Sequence, residues 1–370
     1  MIEKHRFRIY PTKEQEDLIV KTFGCCRFVY NYYLDKRNTA YEKDKTYISG
    51  FDCMKDLTQL KKTDEFSFLR EVDVKSLQQS LRDLDTSFLN FFRSLKKGQD
   101  FGFPKFKSKH HHPMSYRTVQ IKPLLEKHII LPKVGVVKCK ISKKITGKIM
   151  SATVIMKPSN KFYVTLSVEC EDRKHFDKTG KAVGIDLGMK DYVAILSDGN
   201  CYYKSDCIKN HIKRIKRLQR KLSRKSSGSK NYEKARIRLA KEYEKLCNKR
   251  MDNIHKITTD IIKKYDIICI EDLDVSEMKK GFNKYDTVSD VSFYTIRRFL
   301  LYKSLWYGKK IVVIDRYFPS SQTCSVCGYK NKDIKNTKVR EWICPSCKSV
   351  HNRDINAAVN ILNQGLKTIR

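Results

Sequence analysis

Three carboxylates stand where a chain does not ordinarily leave a charge. In "KAVGIDLGMKDYVAILSDG" (181–199) Asp186 follows Val183 and Ile185 and precedes Gly188. In "YDIICIEDLDV" (265–275) the apolar run 267–270 emerges directly into Glu271 and Asp272, and Asp354 opens the apolar helix pattern of "DINAAVNIL". Desolvating a carboxylate is costly unless a cation or hydrogen bonds compensate. Each acid alone could be a capped strand or helix end; the three together form a pattern. Acids from two strands and a helix that meet at one edge of a sheet can hold two divalent ions roughly 4 Å apart for in-line attack on a phosphodiester. One ion lowers the pKa of the attacking water and the other stabilises the leaving 3′ oxygen, so no His base is needed. Hard oxygen ligands select Mg²⁺ or Mn²⁺. Asp186, Glu271 and Asp354 are the expected ligands, while alternation turns Asp272 to the other side of its strand. No Ser-His-Asp or Cys-His set and no GxxxxGK[ST] phosphate loop is evident.

The second constellation is "TCSVCGYKNKDIKNTKVREWICPSCK", in which Cys324-x2-Cys327 and Cys344-x2-Cys347 are separated by sixteen residues. Four thiolates at this spacing complete a tetrahedral structural Zn²⁺ site with no open position, so this zinc is structural and His351 is not needed as a ligand. A disulfide pair is the alternative, disfavoured in a reducing compartment. Lys330, Lys332, Lys335, Lys338 and Arg340 between the two pairs suit either nucleic acid or solvent.

These sites need strands and helices to hold them. "KHRFRIYPT" (4–12) alternates Phe7 and Ile9 with Arg6 and Arg8 as a strand does, and Pro11 and Thr12 then lead into a helix. Leu77, Leu81, Leu84, Phe88 and Phe91 recur at steps of four and three along one helical stripe, placing Lys75, Gln79 and Arg82 on the opposite face, open to solvent or to a ligand. "KKGQDFGFPKFKSKHHHP" (96–113) is a basic loop whose Phe101, Phe103 and Phe106 could stack on bases or pin it to a core; its His residues are a weak metal candidate. Short alternating runs from about 115 to 175 indicate a small antiparallel unit. Near Lys181 a second unit begins: strand, hairpin, long helices, strand, helix, strand, cysteine insert and helix. Between Lys209 and Arg250 seventeen Lys or Arg stand against three Glu, over two helices joined by "KSSGSK". So one-sided a charge would repel a copy of itself and suits a phosphate backbone.

Composition agrees. In 370 residues, 77 Lys and Arg against 41 Asp and Glu leave a net charge of +36, with 40% hydrophobic residues. That is a globular composition whose self-repulsion calls for a polyanionic partner. The start of the chain lacks a signal-peptide h-region, and no 18-residue apolar run is present, so a cytosolic or nuclear chain without membrane contact is expected. Nine of the thirteen cysteines are scattered; Cys25 and Cys26 read as helix packing and Cys269 as a buried reduced thiol.

In order along nearly the whole chain, "FRIYPTKEQ", "TFGCCRFVYN", "SLQQSLRDLD", "FPKFKSK", "GIDLGMKDYVAILSDG", "IICIEDL", "SSQTCSVCG" and "NRDINAAVNIL" resemble the TnpB family, the RNA-guided DNA endonucleases of insertion sequences related to type V CRISPR effectors. The resemblance implies an α/β multidomain fold. A β-barrel-like wedge (WED) scaffold (1–14 and 98–178) would carry an inserted helical recognition domain (15–97). An RNase H-like RuvC domain (179–318, with the basic hairpin at 208–263) would follow, then a Cys₄ zinc-ribbon insert that binds target nucleic acid (319–350) and a last RuvC segment (351–370). The family's catalytic acids match Asp186, Glu271 and Asp354. The family's common "DRD" stands here as Asn352-Arg353-Asp354, a change expected to be harmless because the third residue is the ligand. Partners implied are a guide RNA from the element's end and double-stranded DNA bearing a short target-adjacent motif, bound by a monomer with RNA in the prokaryotic cytoplasm, on the nucleoid. Lys75, Ser76, Gln79 and Arg82, with Lys105, Lys107, Lys213, Arg214 and Arg217, are the nucleic-acid contacts expected. Two rivals remain: a nuclease-silent RNA-guided repressor, and a transposase or resolvase that works without RNA.

Overall fold

Alternation along residues 2–10 buries Phe7 and Ile9 and leaves Arg6 and Tyr10 outside, the mark of a strand with one face on a core. The computed structural model describes residues 1–98, 102–109, 112–119, 121, 127–188, 192–203, 206–273, 287–335 and 339–369, and the chain divides into two units, Met1–Glu171 and Asp172–Arg370.

In the first unit β1 (Ile2–Tyr10) is followed by Thr12, which caps α1 (Lys13–Asp44) in a reciprocal pair of hydrogen bonds with Gln15. α2 (Gly50–Leu60) and α3 (Val74–Lys96) follow, the latter begun by Asp73, whose carboxylate accepts from the N–H groups of Lys75 and Ser76 at 3.1 Å. The strands β2 (Met114–Thr118), β3 (His128–Leu131), β4 (Gly135–Lys140), β5 (Lys148–Met156) and β6 (Phe162–Glu169) then join β1 in an antiparallel sheet of order β2-β5-β6-β1-β4-β3. The sheet is a half-barrel and does not close, β2 and β3 forming its two free edges. An irregularity between Ile149 and Ser151 shifts the β5–β6 register and bends the pair. One apolar core joins sheet and helices, with Phe7, Ile9, Ile19, Tyr33, Leu77, Leu84 and Val164 in it. Cys25 and Cys26 are buried in that core, as expected of helix-packing thiols.

The second unit runs β7 (Ala182–Asp186), β8 (Tyr192–Leu196), β9 (Cys201–Tyr203), α4 (Asp206–Ser223), α5 (Lys230–Lys264), β10 (Ile267–Glu271), α6 (Thr287–Tyr307), β11 (Lys310–Ile314), β12 (Glu341–Ile343), β13 (Val350–Asn352) and α7 (Arg353–Lys367). Its five-stranded sheet has the order β11-β10-β7-β8-β9. β7, β10 and β11 are parallel, so long helical crossovers must join them, whereas β8 and β9 return as antiparallel hairpins. α5 and α6 pack on one face around Val183, Ile185, Ile268 and Ile270; α7 packs on the other with Ile361 against Cys269, Val312 and Ile314. α4 and α5 form the basic hairpin, held by the buried Glu242 of α5, which meets His211 at 2.7 Å and Arg214 at 3.4 Å. No helix among the described residues is long and apolar enough to cross a membrane.

Candidate active site

Strand alternation decides where the three acids go. On β7, Val183 and Ile185 face α5 and α6, so Gly184 and Asp186 face α7; on β10, Ile268 and Ile270 take the first side and Cys269 and Glu271 the second. Ile185 and Ile270 are register partners, so Asp186 and Glu271 leave adjacent parallel strands side by side. Asp354 is the second residue of α7, the helix on that same face. The helix comes close enough because Gly184 has no Cβ: a methyl there would overlap the Ala358 carbonyl and lie 2.6 Å from the Leu362 nitrogen, and Gly365 likewise passes over the Cys269 thiol. Asp272, on the opposite side, pairs with Arg297 and, at 3.1 Å, with Arg316.

The shared charge is visible at Asp186. Part of the residue still reaches solvent, yet the protein packed around its carboxyl, followed by the carboxylates of Glu271 and Asp354, pushes it up to about 7 against the pull of Arg353 and Arg340. Burial also raises Glu271, while the Ser320 hydroxyl, donating to Oε1 at 2.5 Å, draws it back. Asp354 accepts from Arg340 Nη1 at 2.9 and 3.1 Å. The three carboxylates act on one another's charge at Asp186, although their oxygens do not all lie within 4.8 Å of one another as the cysteine sulfurs do; hard oxygens of this kind suit a divalent ion of the Mg²⁺ or Mn²⁺ class. Asn352 is the N-cap of α7: its Oδ1 accepts from the N–H groups of Asp354 at 3.1 Å and Ile355 at 3.2 Å, the task an aspartate would perform.

The four sulfurs of Cys324, Cys327, Cys344 and Cys347 lie within 4.8 Å of one another. Two similar turns bring them there. Gly328 and Lys348, each four residues after the first cysteine of its pair, adopt left-handed φ of 78° and 60° and return an N–H to the Cys324 and Cys344 carbonyls. The Ser349 hydroxyl and N–H draw the Cys347 thiol below its ordinary value, while Cys327 in the same cluster lies above its own. His351 Nε2 lies 3.0 Å from Cys324 Sγ and 2.9 Å from Ser349 Oγ, beside the quartet. β12 and β13 pair Glu341 with Asn352, so the turn ends where α7 begins.

The expected nucleic-acid contacts divide. Lys105, Arg82, Lys213, Arg214 and Arg217 are exposed and Lys75 is partly so. The expectation that Gln79 stands on an open face is corrected: Gln79 is 4% and Ser76 1% exposed, because α3 packs against α1 and β2 as well as its leucine side. Ser76 instead donates to the Asp73 carboxylate at 2.7 Å, and Ser80, on the same side, to the Cys26 carbonyl. Ser76 and Lys107 line one cavity of about 250 Å³ with Arg27, Asp83 and Arg117, and the Lys107 ammonium lies 3.6 Å above the Tyr30 ring. Phe103 packs edge-on against Phe88 and Phe91, yet it and Phe106 stay about half exposed. Phe101, His110, His111 and Lys338 lie outside the described residues. Sequence reading missed Ser320 and the pairing of Arg340 with Asp354; the partners stand 49 and 14 residues apart and leave no periodic trace.

A family model described as "Probable transposase" (OrfB_IS605) matches residues 165–282, a Cas12f1-like TNB domain model matches 293–361, and a helix-turn-helix model of the OrfB_IS605 group matches 1–46. A Streptomyces pristinaespiralis protein named "Putative RNA-guided DNA endonuclease" is 35% identical over 98% of this chain and 89% of its own length. InsQ of Escherichia coli (strain K12), named likewise, is 31% identical over 98% and 92%. TnpB-like protein L79 of Acanthamoeba polyphaga mimivirus is 25% identical over 99% and 74%. Among solved structures, the Cas12f1 chain of a Cas12f1–sgRNA–target DNA complex superposes with a TM-score of 0.60 at 14% identity over 98% of this chain and 99% of that one, a likeness of fold. With identity at this level over 98% of its length, the chain belongs to the TnpB family.

Proposed function

We propose that this chain is an RNA-guided endonuclease that cuts double-stranded DNA beside a short target-adjacent motif, hydrolysing phosphodiesters at Asp186, Glu271 and Asp354. The observation that carries the reading is the delivery of three carboxylates to one side of one sheet, where burial first and then the other two acids raise Asp186 to about 7. Asp186, Glu271 and Asp354 would hold two Mg²⁺ or Mn²⁺ ions. Bound there, such ions supply an activated water and stabilise a leaving 3′ oxygen. The sheet order, three parallel strands continued by an antiparallel hairpin, supports an RNase H-like domain of the RuvC type. Zn²⁺ on the four cysteines would be structural, fixing the turn that precedes α7.

In this reading the α4–α5 hairpin and the basic faces of the first unit hold guide RNA and heteroduplex through backbone charge, and base pairing supplies the sequence specificity. The protein acts as a monomer with its RNA in a prokaryotic cytoplasm, on the nucleoid. The three acids are all present, which favours cutting over silent repression. The test is to purify the chain from cells carrying its flanking element and sequence the RNA that accompanies it. A defined species with a variable 3′ end is expected; a preparation without RNA that still binds its own element ends would favour the RNA-independent transposase instead.

A further inference from the structure

A turn at 319–325 lies between Glu271 and α7. It closes on itself, with the N–H groups of Gln322 and Thr323 both returning to the Pro319 carbonyl, and runs directly into Cys324. Its Ser320, 7% exposed, donates to Glu271 Oε1. α7 grips the same turn from the other side. Asn360 Nδ2 donates to the Ser320 carbonyl at 2.8 Å and the Thr323 carbonyl at 2.6 Å; Asn356 Nδ2 donates to the Thr323 carbonyl at 2.7 Å, and its Oδ1 accepts from the Ser325 N–H at 2.9 Å. Asn356 and Asn360 are 2% and 5% exposed, on a helix face otherwise built of Ala357, Ala358 and Ile361. Amides persist in such a face when their polar atoms are partnered, and a satisfied network of this kind fixes one arrangement of the elements it joins. α7 therefore presents Asp354 in its first turn and, within the next two, holds the turn that holds Glu271.

We infer that Ser320 is a positioning residue for Glu271, and that Asn356 and Asn360 set Ser320 in place, so the cation affinity of the centre depends on side chains that touch no cation. The inference rests on the proposed role of Asp186, Glu271 and Asp354 as ligands. A glutamate has several rotatable bonds; a hydroxyl that pins one oxygen removes freedom that ligation would otherwise have to remove, and partners of this kind typically alter metal affinity by about 10- to 100-fold.

The test uses the full zinc-loaded chain and Mn²⁺ alone, with free Mn²⁺ followed by electron paramagnetic resonance, so binding is read without cleavage. Ser320→Ala is expected to weaken Mn²⁺ binding about 10-fold while zinc content stays at the wild-type value and the unfolding midpoint falls only slightly, by the loss of one hydrogen bond. Ser320→Thr, which keeps the hydroxyl, recovers most of the loss. Asn360→Ala weakens binding too, and the double variant with Ser320→Ala falls well short of additivity because both changes break one chain of contacts. Unchanged Mn²⁺ binding in Ser320→Ala overturns the inference, as does full additivity. Wild-type binding that Asp186→Asn leaves unaltered would overturn the cation centre itself, and the inference with it.

Discussion

Replacing Asp186 with Asn should stabilise the folded chain when divalent cations are withheld, and the gain should grow with pH. In an unfolded chain Asp titrates near 4; in the fold, burial and the carboxylates of Glu271 and Asp354 push Asp186 up to about 7. Well below pH 4 both states carry the proton and the residue costs nothing. Between about 4 and 7 the folded chain keeps a proton that the unfolded chain has released, so stability falls as pH rises. Above 7 the deficit is constant and at most about 4 kcal/mol, and at pH 5 it is roughly a third of that, from roughly 1.4 kcal/mol per tenfold change in proton affinity. Solvent reaching part of the residue reduces the gain expected of Asp186→Asn at pH 8 to about 1–3 kcal/mol. Urea unfolding of zinc-loaded wild type and variant, at pH 5 and pH 8 without Mg²⁺ or Mn²⁺, measures it. Mn²⁺ added at pH 8 should then stabilise the wild type and not the variant, reversing their order. A variant no more stable than wild type at pH 8, or a gain that does not depend on pH, would refute the crowding of the three acids.

Gly184→Ala should cost about 1–3 kcal/mol, because its methyl cannot enter without moving α7 off β7; thermal unfolding checks this, and an unshifted midpoint would contradict the close packing. Asn352→Asp should match the wild type in stability and cleavage, whereas Asn352→Ala should lose about 1 kcal/mol with the α7 cap; equal losses in both would show that the cap is not what matters at this position. A Cys324→Ser/Cys344→Ser protein should bind no zinc and should lose cleavage, since the turn that it disorders carries Ser320 and Arg340 to the acids. Full activity without zinc would separate the two sites.

Much of this was readable in the residues, and for a physical reason. Asp186 and Glu271 each interrupt or end a run of apolar strand residues, and a period of two tells which neighbours share their side; the same arithmetic placed Asp272 away from them, on Arg297 and Arg316. The cysteine quartet was legible because metal geometry fixes its spacing. The α3 wheel was less reliable. It separates one apolar stripe from the rest, but a helix packed on several sides buries its polar side too, and Ser76 and Gln79 went inside with it. Ser320 escaped notice because nothing local distinguishes a turn serine that meets a carboxylate 49 residues away. Asn356 and Asn360 carry no local signal, and only the turn lying on them gives the two amides a task.

The most direct measurement is plasmid cleavage by the chain purified with its own RNA, in Mg²⁺, comparing wild type with Glu271→Ala and Asp354→Ala on a plasmid that carries the guide match beside a randomised flank. The account predicts a double-strand cut restricted to a subset of flanks, abolished in both variants although each still binds RNA and target. Undiminished cutting in either variant, or cutting without the RNA match, would contradict it.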